Sequence, residues 1–428
     1  MMRKMKDSGI AWIGEIPEEW TVVKFSSILQ ERKQKNVGLK EKNLLSLSYG
    51  NIVRKDISTR DGLLPESFET YNIIDNGCIV FRLTDLQNDH RSLRTGLCKE
   101  RGIITSAYVT VECQLDDDPA YLHNLFRSYD ECKVFYGMGD GVRQGMNYVD
   151  LKKLYVLRPP LNEQKKIARY IDDKAAIIEA RIKKEAALID RMQSYKQSLI
   201  TETVTKGLHP EVARKDSGVE WIGEIPASWK MERLKFLAEV KTGPFGTQLK
   251  ATEYVAEGTP CINVKNIGYG SIKSDDLDFV PPSVVKRLNE HILRPGDIVF
   301  ARKGSIDKHA ITTESESGWL QGSDCIRVRL QADLDHNFFN YYLANSGLKY
   351  YLASLSNGAT MASLNGAMIE DLLILLPTAV EQREIASFLD TKCAAIDADI
   401  AKRRALMERL SAYKRSLIYE VVTGKREV

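Results

Sequence analysis

Pro159-Pro160-Leu161-Asn162-Glu163-Gln164-Lys165-Lys166-Ile167-Ala168 opens a stretch that reaches Lys206 without another Gly or Pro. Pro377-Thr378-Ala379-Val380-Glu381-Gln382-Arg383-Glu384-Ile385-Ala386 opens a second that reaches Gly424. Pro before and Gly after is the signature of a helix. Aligned without gaps from Glu163 and Glu381, 22 of 44 positions are identical, so the two stretches are copies. The apolar rows coincide. Ile167, Ile178, Ile189 and Ile200 recur every 11 residues, and so do Ile385, Ile396, Met407 and Ile418. An 11-residue period keeps one stripe on a nearly straight helix. Each helix should be roughly 65 Å long, and the two stripes are expected to pair with each other. Thr378 and Glu381 have capping-box spacing, and Asn162 is the expected cap of the first copy.

The duplication reaches further. Asp7-Ser8-Gly9-Ile10-Ala11-Trp12-Ile13-Gly14-Glu15-Ile16-Pro17-Glu18-Glu19-Trp20 returns at Asp216 to Trp229 with ten of fourteen residues kept. The segments between block and helix, 21–160 and 230–377, are each the size of a small domain. Short β-branched runs make them strand-rich: Cys78–Phe81, Tyr108–Val111, Asp297–Phe300 and Cys325–Val328. A helix is expected near Ala120–Tyr129 and His336–Asn345. Asn76 to Arg82 lines up with Pro295 to Arg302, placing Arg82 and Arg302 in similar positions. Between such anchors the two segments share little. The chain reads as block, variable domain and helix, twice over.

A length of 428 residues permits two to four domains, and 43% apolar with 28% charged residues describes a globular chain. No run of 18 apolar residues exists, and Met1 to Asp7 lacks the apolar core of a signal peptide. Seven scattered cysteines without a Cys-x-x-Cys pair suggest reduced thiols, a cytoplasmic setting and no zinc site. A net charge of +3 permits nucleic-acid binding without demanding it. The sequence has no Walker A loop, no Gly-x-Gly-x-x-Gly after a strand and no Gly-x-Ser-x-Gly. Its histidines lack metal-ligand spacing. Asp172-x-Lys174 and Glu239-x-Lys241 have the form of nuclease fragments. The first lies in the helical stretch, where a solvated turn is expected, and the second lacks any obvious partner carboxylate, so no catalytic residue and no metal site is assigned.

The Ile-Pro-x-x-Trp block resembles that of type I restriction-modification specificity subunits. So do the strand Gly296-Asp297-Ile298-Val299-Phe300-Ala301-Arg302, Pro-x-x-x-Glu-Gln opening each helix, and Tyr-Lys-x-Ser-Leu-Ile at 195–200 and 413–418 closing it. The resemblance covers nearly the whole chain. It implies an α+β fold with two strand-rich target recognition domains joined by two long antiparallel helices, an internal pseudo-twofold duplication. Block and first recognition domain would occupy 1–160, and the first spacer helix 161–207. Linker, repeated block and second recognition domain would occupy 208–377, and the second helix 378–428. The resemblance further implies a non-catalytic DNA-specificity subunit. Each domain would read one half of a bipartite asymmetric site in double-stranded DNA, and the helix pair would set the gap. Two methyltransferase subunits and motor-nuclease restriction subunits are the implied partners, with adenosylmethionine, ATP and magnesium on them and no cofactor here.

Base and phosphate readers are Arg, Lys, Asn and Gln on loops held by a scaffold. In the first domain Arg82, Gln87, Asn88, Arg91, Arg94, Arg143, Gln144, Asn147 and Tyr148 are the candidates. In the second they are Lys241, Thr242, Gln248, Lys250, Lys265, Asn266, Arg302, Lys303, Ser305, Thr360 and Asn365. Two other readings fit the same sequence: a coiled-coil oligomerisation protein, and a stand-alone DNA-modifying nuclease.

Overall fold

The computed structural model describes residues 3–57, 67–87, 89, 93–138, 145–304, 308–331, 334–355 and 363–428. The two long stretches are uninterrupted helices, Leu161–Lys206 and Ala379–Val422. In the second, the amide and hydroxyl of Thr378 both donate to Glu381 Oε2 (2.9 and 2.8 Å), and the Glu381 amide donates back to Thr378 Oγ1 at 3.3 Å. Burial works against the Glu381 charge, but these donors and Trp229 hold its pKa below the usual carboxylate value. The first helix starts differently from expectation. Asn162 is already helical and does not cap it. The Pro160 carbonyl instead accepts from the amides of Glu163 (2.8 Å) and Gln164 (3.0 Å).

The chain forms two compact units, one of residues 1–185 and 404–428, the other of 186–403. Each unit holds a block, a sheet domain, the start of one long helix and the end of the other. The stripe residues Ile167, Ile178, Ile189, Ile200, Ile385 and Ile418 are buried, and Ile396 and Met407 half-buried. In the first unit Lys414 pairs with Glu179, and in the second Lys196 pairs with Asp397 at 2.6 Å. Within each unit, the start of one long helix thus lies beside the end of the other, antiparallel.

The sheet domains share a topology. In the first unit the strand order is Leu29–Glu31, Val109–Cys113, Ile79–Phe81, Thr95–Leu97. In the second it is Ala238–Thr242, Cys325–Leu330, Ile298–Ala301, His309–Ile311, with Tyr269–Gly270 added at the edge. Each domain is closed at its base by its first and last strands, Thr21–Lys24 with Tyr155–Arg158 and Lys230–Arg233 with Leu373–Leu376. The helices Pro119–Glu131 and His336–Ala344, capped by Asp118 and Asp335, pack on these sheets. Tyrosines from them reach the base strands: Tyr129 Oη donates to Tyr155 O and Tyr342 Oη to Leu373 O, both at 2.8 Å.

The repeated Glu-Gln pair explains how block, domain and helix are held. Trp20 and Trp229 are buried, and their indole N–H groups donate to Glu163 (2.9 Å) and Glu381 (3.3 Å). The next residue faces the domain. Gln164 accepts from the Asp118 amide at 2.8 Å and donates to Pro159 O at 3.0 Å. Gln382 does the same with the Asp335 amide (2.7 Å) and Pro377 O (3.1 Å). One carboxylate fixes the block and one amide fixes the domain, at the first turn of each helix.

The far ends of the helices return to the blocks. Gly207 and Gly424 follow the helices with φ of +75° and +73°, the left-handed cap that glycine adopts without strain. A Cβ on Gly207 would lie 3.2 Å from the Trp229 ring, and one on Gly424 2.3 Å from Pro17 Cδ. The chain therefore ends against the block that begins it. Both Gly→Ala changes should cost about 1 kcal/mol for the left-handed backbone. Gly424→Ala should cost more, because Pro17 must also give way. Thermal unfolding of the two variants checks this, and equal losses would show that the first block yields freely.

Candidate nucleic-acid interface

The candidates sort into three groups. Asn88, Arg91, Arg143, Gln144, Ser305 and Thr360 lie outside the described residues. The second group is brought together at one end of the second domain's sheet. Arg302 follows the strand Ile298–Ala301; its amide donates to Asp324 O (2.9 Å), and its carbonyl accepts from the Leu364 amide (2.8 Å). Lys303 bridges Ser363 and pairs with Asp324 at 3.1 Å. Thr242 ends the strand Ala238–Thr242, one strand further across the sheet beyond Cys325–Leu330, and its Oγ1 lies 3.1 Å from where a Gly366 Cβ would be. Asn365 caps the short helix Gly366–Glu370, accepting from the Met368 amide at 2.9 Å. Thr242, Arg302, Lys303 and Asn365 thus converge from distant parts of the chain.

One residue of this cluster was not singled out from sequence. Phe245 is 51% exposed, and the Arg302 guanidinium lies 4.6 Å from its ring centroid. Arg302 Nε is buried without a partner. A cation held over an exposed aromatic face is suited to a nucleic-acid phosphate or base. Gln248 adjoins it, its Oε1 accepting from the Phe245 amide at 3.2 Å, and Lys250 is exposed beyond.

The third group is used elsewhere. Arg94 is fully buried. Its guanidinium donates to the carbonyls of Thr84 (2.9 Å), Asp85 (3.3 Å) and Asp89, so it shapes the loop instead of reading DNA. Asn266 is also fully buried: it accepts from the Asn263 amide at 3.0 Å and donates to Lys273 O at 3.3 Å. Both leave the list of DNA contacts, because exposing either would break a local turn. Tyr148 gives its hydroxyl to Leu29 O at 2.9 Å and packs near Phe25, which makes it a strut. Lys241 pairs with Glu290 at 2.8 Å and holds that carboxylate below its ordinary pKa. Asp278 and then Asp276 raise the pKa of Lys265, each 3.1 Å away. Gln87 and Asn147 are exposed, and Arg82 is half-buried.

Arg82 and Arg302 are not equivalent. The Arg82 amide donates to Arg94 O (2.8 Å), as the Ala301 amide does to Lys308 O (3.0 Å). The Leu83 carbonyl accepts from Met146 (2.9 Å) as that of Arg302 does from Leu364. Arg302 therefore matches buried Leu83, one residue beyond the position read from the alignment.

The described residues hold no group of three or more side chains that could bind a metal, and no helix long and apolar enough to cross a membrane. The fold defines a class: a duplicated α+β protein in which each unit carries a sheet domain on the start of one long helix and the end of the other. Residues 226–404 match the family described as type I restriction modification DNA specificity domain. The MjaVIII specificity subunit of Methanocaldococcus jannaschii is 24% identical over 428 residues, covering 96% of this chain and 94% of that one. The EcoKI specificity subunit of Escherichia coli is 25% identical over 209 residues, 47% of this chain and 44% of that one. Among solved structures, a chain of a type I R-M system matches with a TM-score of 0.73 at 15% identity, covering 96% of this chain and 99% of that one. HsdS from Thermoanaerobacter tengcongensis matches at 0.52 and 15%, over 96% and 98%. Over nearly its whole length the chain is thus similar to type I restriction-modification specificity subunits, and it shares their fold.

Proposed function

We propose that this chain is the non-catalytic DNA-recognition subunit of a type I restriction-modification enzyme, each sheet domain reading one half of a bipartite, asymmetric site. The observation that carries the reading is the shared topology of two domains whose loops differ, held by identical Glu-Gln and Trp contacts. A common frame with two different readers suits an asymmetric target. In the second domain the readers are Arg302, Phe245, Lys303, Thr242 and Asn365. The helix pair sets the gap between half-sites and docks two methyltransferase subunits, which motor-nuclease subunits join. Adenosylmethionine, ATP and magnesium act on those partners.

Replacing residues 21–158 with the corresponding domain of a relative should change one half of the recognised site and leave the other intact. Selection from a random-sequence duplex pool, with the chain reconstituted with methyltransferase subunits, reads both halves at once. A change in both would show coupled domains. Binding should weaken steeply with salt, since phosphate contacts release counterions.

A further inference from the structure

Besides the strand around Phe81 and Phe300, a short motif recurs inside the two diverged domains. Leu47-Ser48-Tyr49-Gly50-Asn51-Ile52 in the first matches Ile267-Gly268-Tyr269-Gly270-Ser271-Ile272 in the second. In the first, Leu47 faces Ile52 and Ser48 faces Asn51 across antiparallel strands, which leaves Tyr49–Gly50 as a two-residue tip. In the second, Ile267 bridges Ile272 and the Gly268 amide donates to Ser271 O at 3.0 Å, so Tyr269–Gly270 is the tip. Gly50 and Gly270 have φ of +79° and +86°, as such tight hairpins require.

The tips occupy the same place in each fold. Arg127, on the helix Pro119–Glu131, ties Gly50 O (2.5 Å) to Thr95 O (2.7 Å), and Thr95 begins the strand that closes the Arg82–Arg94 loop. Tyr269 pairs with His309, which begins the equivalent strand after Arg302–Lys308. Gly270 faces Asn340 on the matching helix. Each tip therefore stands beside the strand that follows the candidate readers Arg82 and Arg302. The tyrosines project outward, Tyr49 82% and Tyr269 61% exposed. Tyr49 holds φ at +45°, a left-handed backbone that disfavours a bulky side chain. Lys349 places its ammonium 5.4 Å from the Tyr269 ring centroid.

We propose that Tyr49 and Tyr269 are matched DNA contacts, one per half-site, each resting its ring and hydroxyl on the sugar-phosphate backbone. The inference rests on the DNA-recognition reading above. Tyrosine hydroxyls are among the groups that position proteins on phosphates. Base readers must differ between two unlike half-sites, whereas a backbone contact can be the same residue in both. The same Tyr-Gly pair at a hairpin tip, in domains whose other loops differ, is therefore a positioning contact without base preference.

The test uses the chain reconstituted with methyltransferase subunits and the duplexes that the wild type enriches from a random pool. Tyr49→Ala and Tyr269→Ala should each lower affinity about three- to tenfold, the usual range for one lost hydrogen bond. The enriched motif should stay the same. Phosphate-ethylation interference should disappear at one half-site only, a different one for each variant. Tyr49→Asn suits the left-handed tip, so its loss of affinity cannot come from a broken turn. Unchanged affinity in all three variants would overturn the proposal, as would a changed base preference. A defect confined to assembly with the methyltransferase would overturn it in favour of protein docking. A wild type that enriches no sequence would overturn the DNA reading itself, a separate outcome.

Discussion

Trp20→Ala should destabilise the first unit by about 3–5 kcal/mol, the range for removing a buried tryptophan. The ring is fully buried and lies edge-on to Tyr121 at 6.4 Å. Its N–H donates to Glu163, which also accepts from Arg3 Nη1 and Nη2, at 2.6 and 2.8 Å. Gly424 sits against the same ring. Chain start, domain helix, first turn of one long helix and last turn of the other thus meet on one side chain. Trp20→Phe keeps most of the apolar area and leaves Glu163 with Arg3, so it should cost well under half as much. Trp229→Ala should weaken the second unit in the same way, through Glu381 and Gly207. Two units need not unfold together, so hydrogen exchange resolved by unit is the measurement. If Trp20→Ala leaves protection in residues 1–185 at the wild-type level, the junction is not what holds the unit.

That junction also marks what the sequence discloses. The long helices were legible because their apolar period and their Pro and Gly boundaries are local properties. The duplication was legible because the junction demands the same Trp, Glu, Gln and Gly twice. The roles of Gln164 and Gln382 were not, since each reaches an amide more than forty residues away. Arg94 shows how a polar-rich loop misleads. Its side chain is buried because the loop folds over it and supplies three carbonyls, and no local pattern signals that closure. Arg302 was displaced by one residue because the alignment follows side-chain identity, whereas the ladder counts hydrogen bonds. The Tyr-Gly tips were missed because a six-residue match is too short to stand out until both turns are seen beside the equivalent strands Thr95–Leu97 and His309–Ile311. Thr378 aligns with Pro160 and not with Asn162: the second helix uses its cap residue, while the Pro160 carbonyl starts the first.

Helix length should be the ruler for the gap between half-sites. Four residues inserted between Ala187 and Leu188, and four between Ala405 and Leu406, fall at matching positions of the repeat. They lengthen each helix by about 6 Å. Four residues are close to one turn, so the rows of Ile167 and Ile385 should stay nearly in register with the rows beyond the insertion. DNA rises about 3.4 Å per base pair, so the preferred gap should grow by one or two pairs with each half-site unchanged. Each added pair also turns the second half-site by roughly 35°, at 10–10.5 pairs per turn. Domain or DNA must absorb that rotation, and some affinity should be lost. Inserting two residues instead rotates the stripe by about 200°. Ile189 and Ile200 would then leave the buried face they share with Ile178, and folding should fail. Binding to duplexes that differ only in gap length reads the result directly. An unchanged optimum after the four-residue insertion would assign the gap to the sheet domains and their loops, and the helices would then serve only to hold block and domain together.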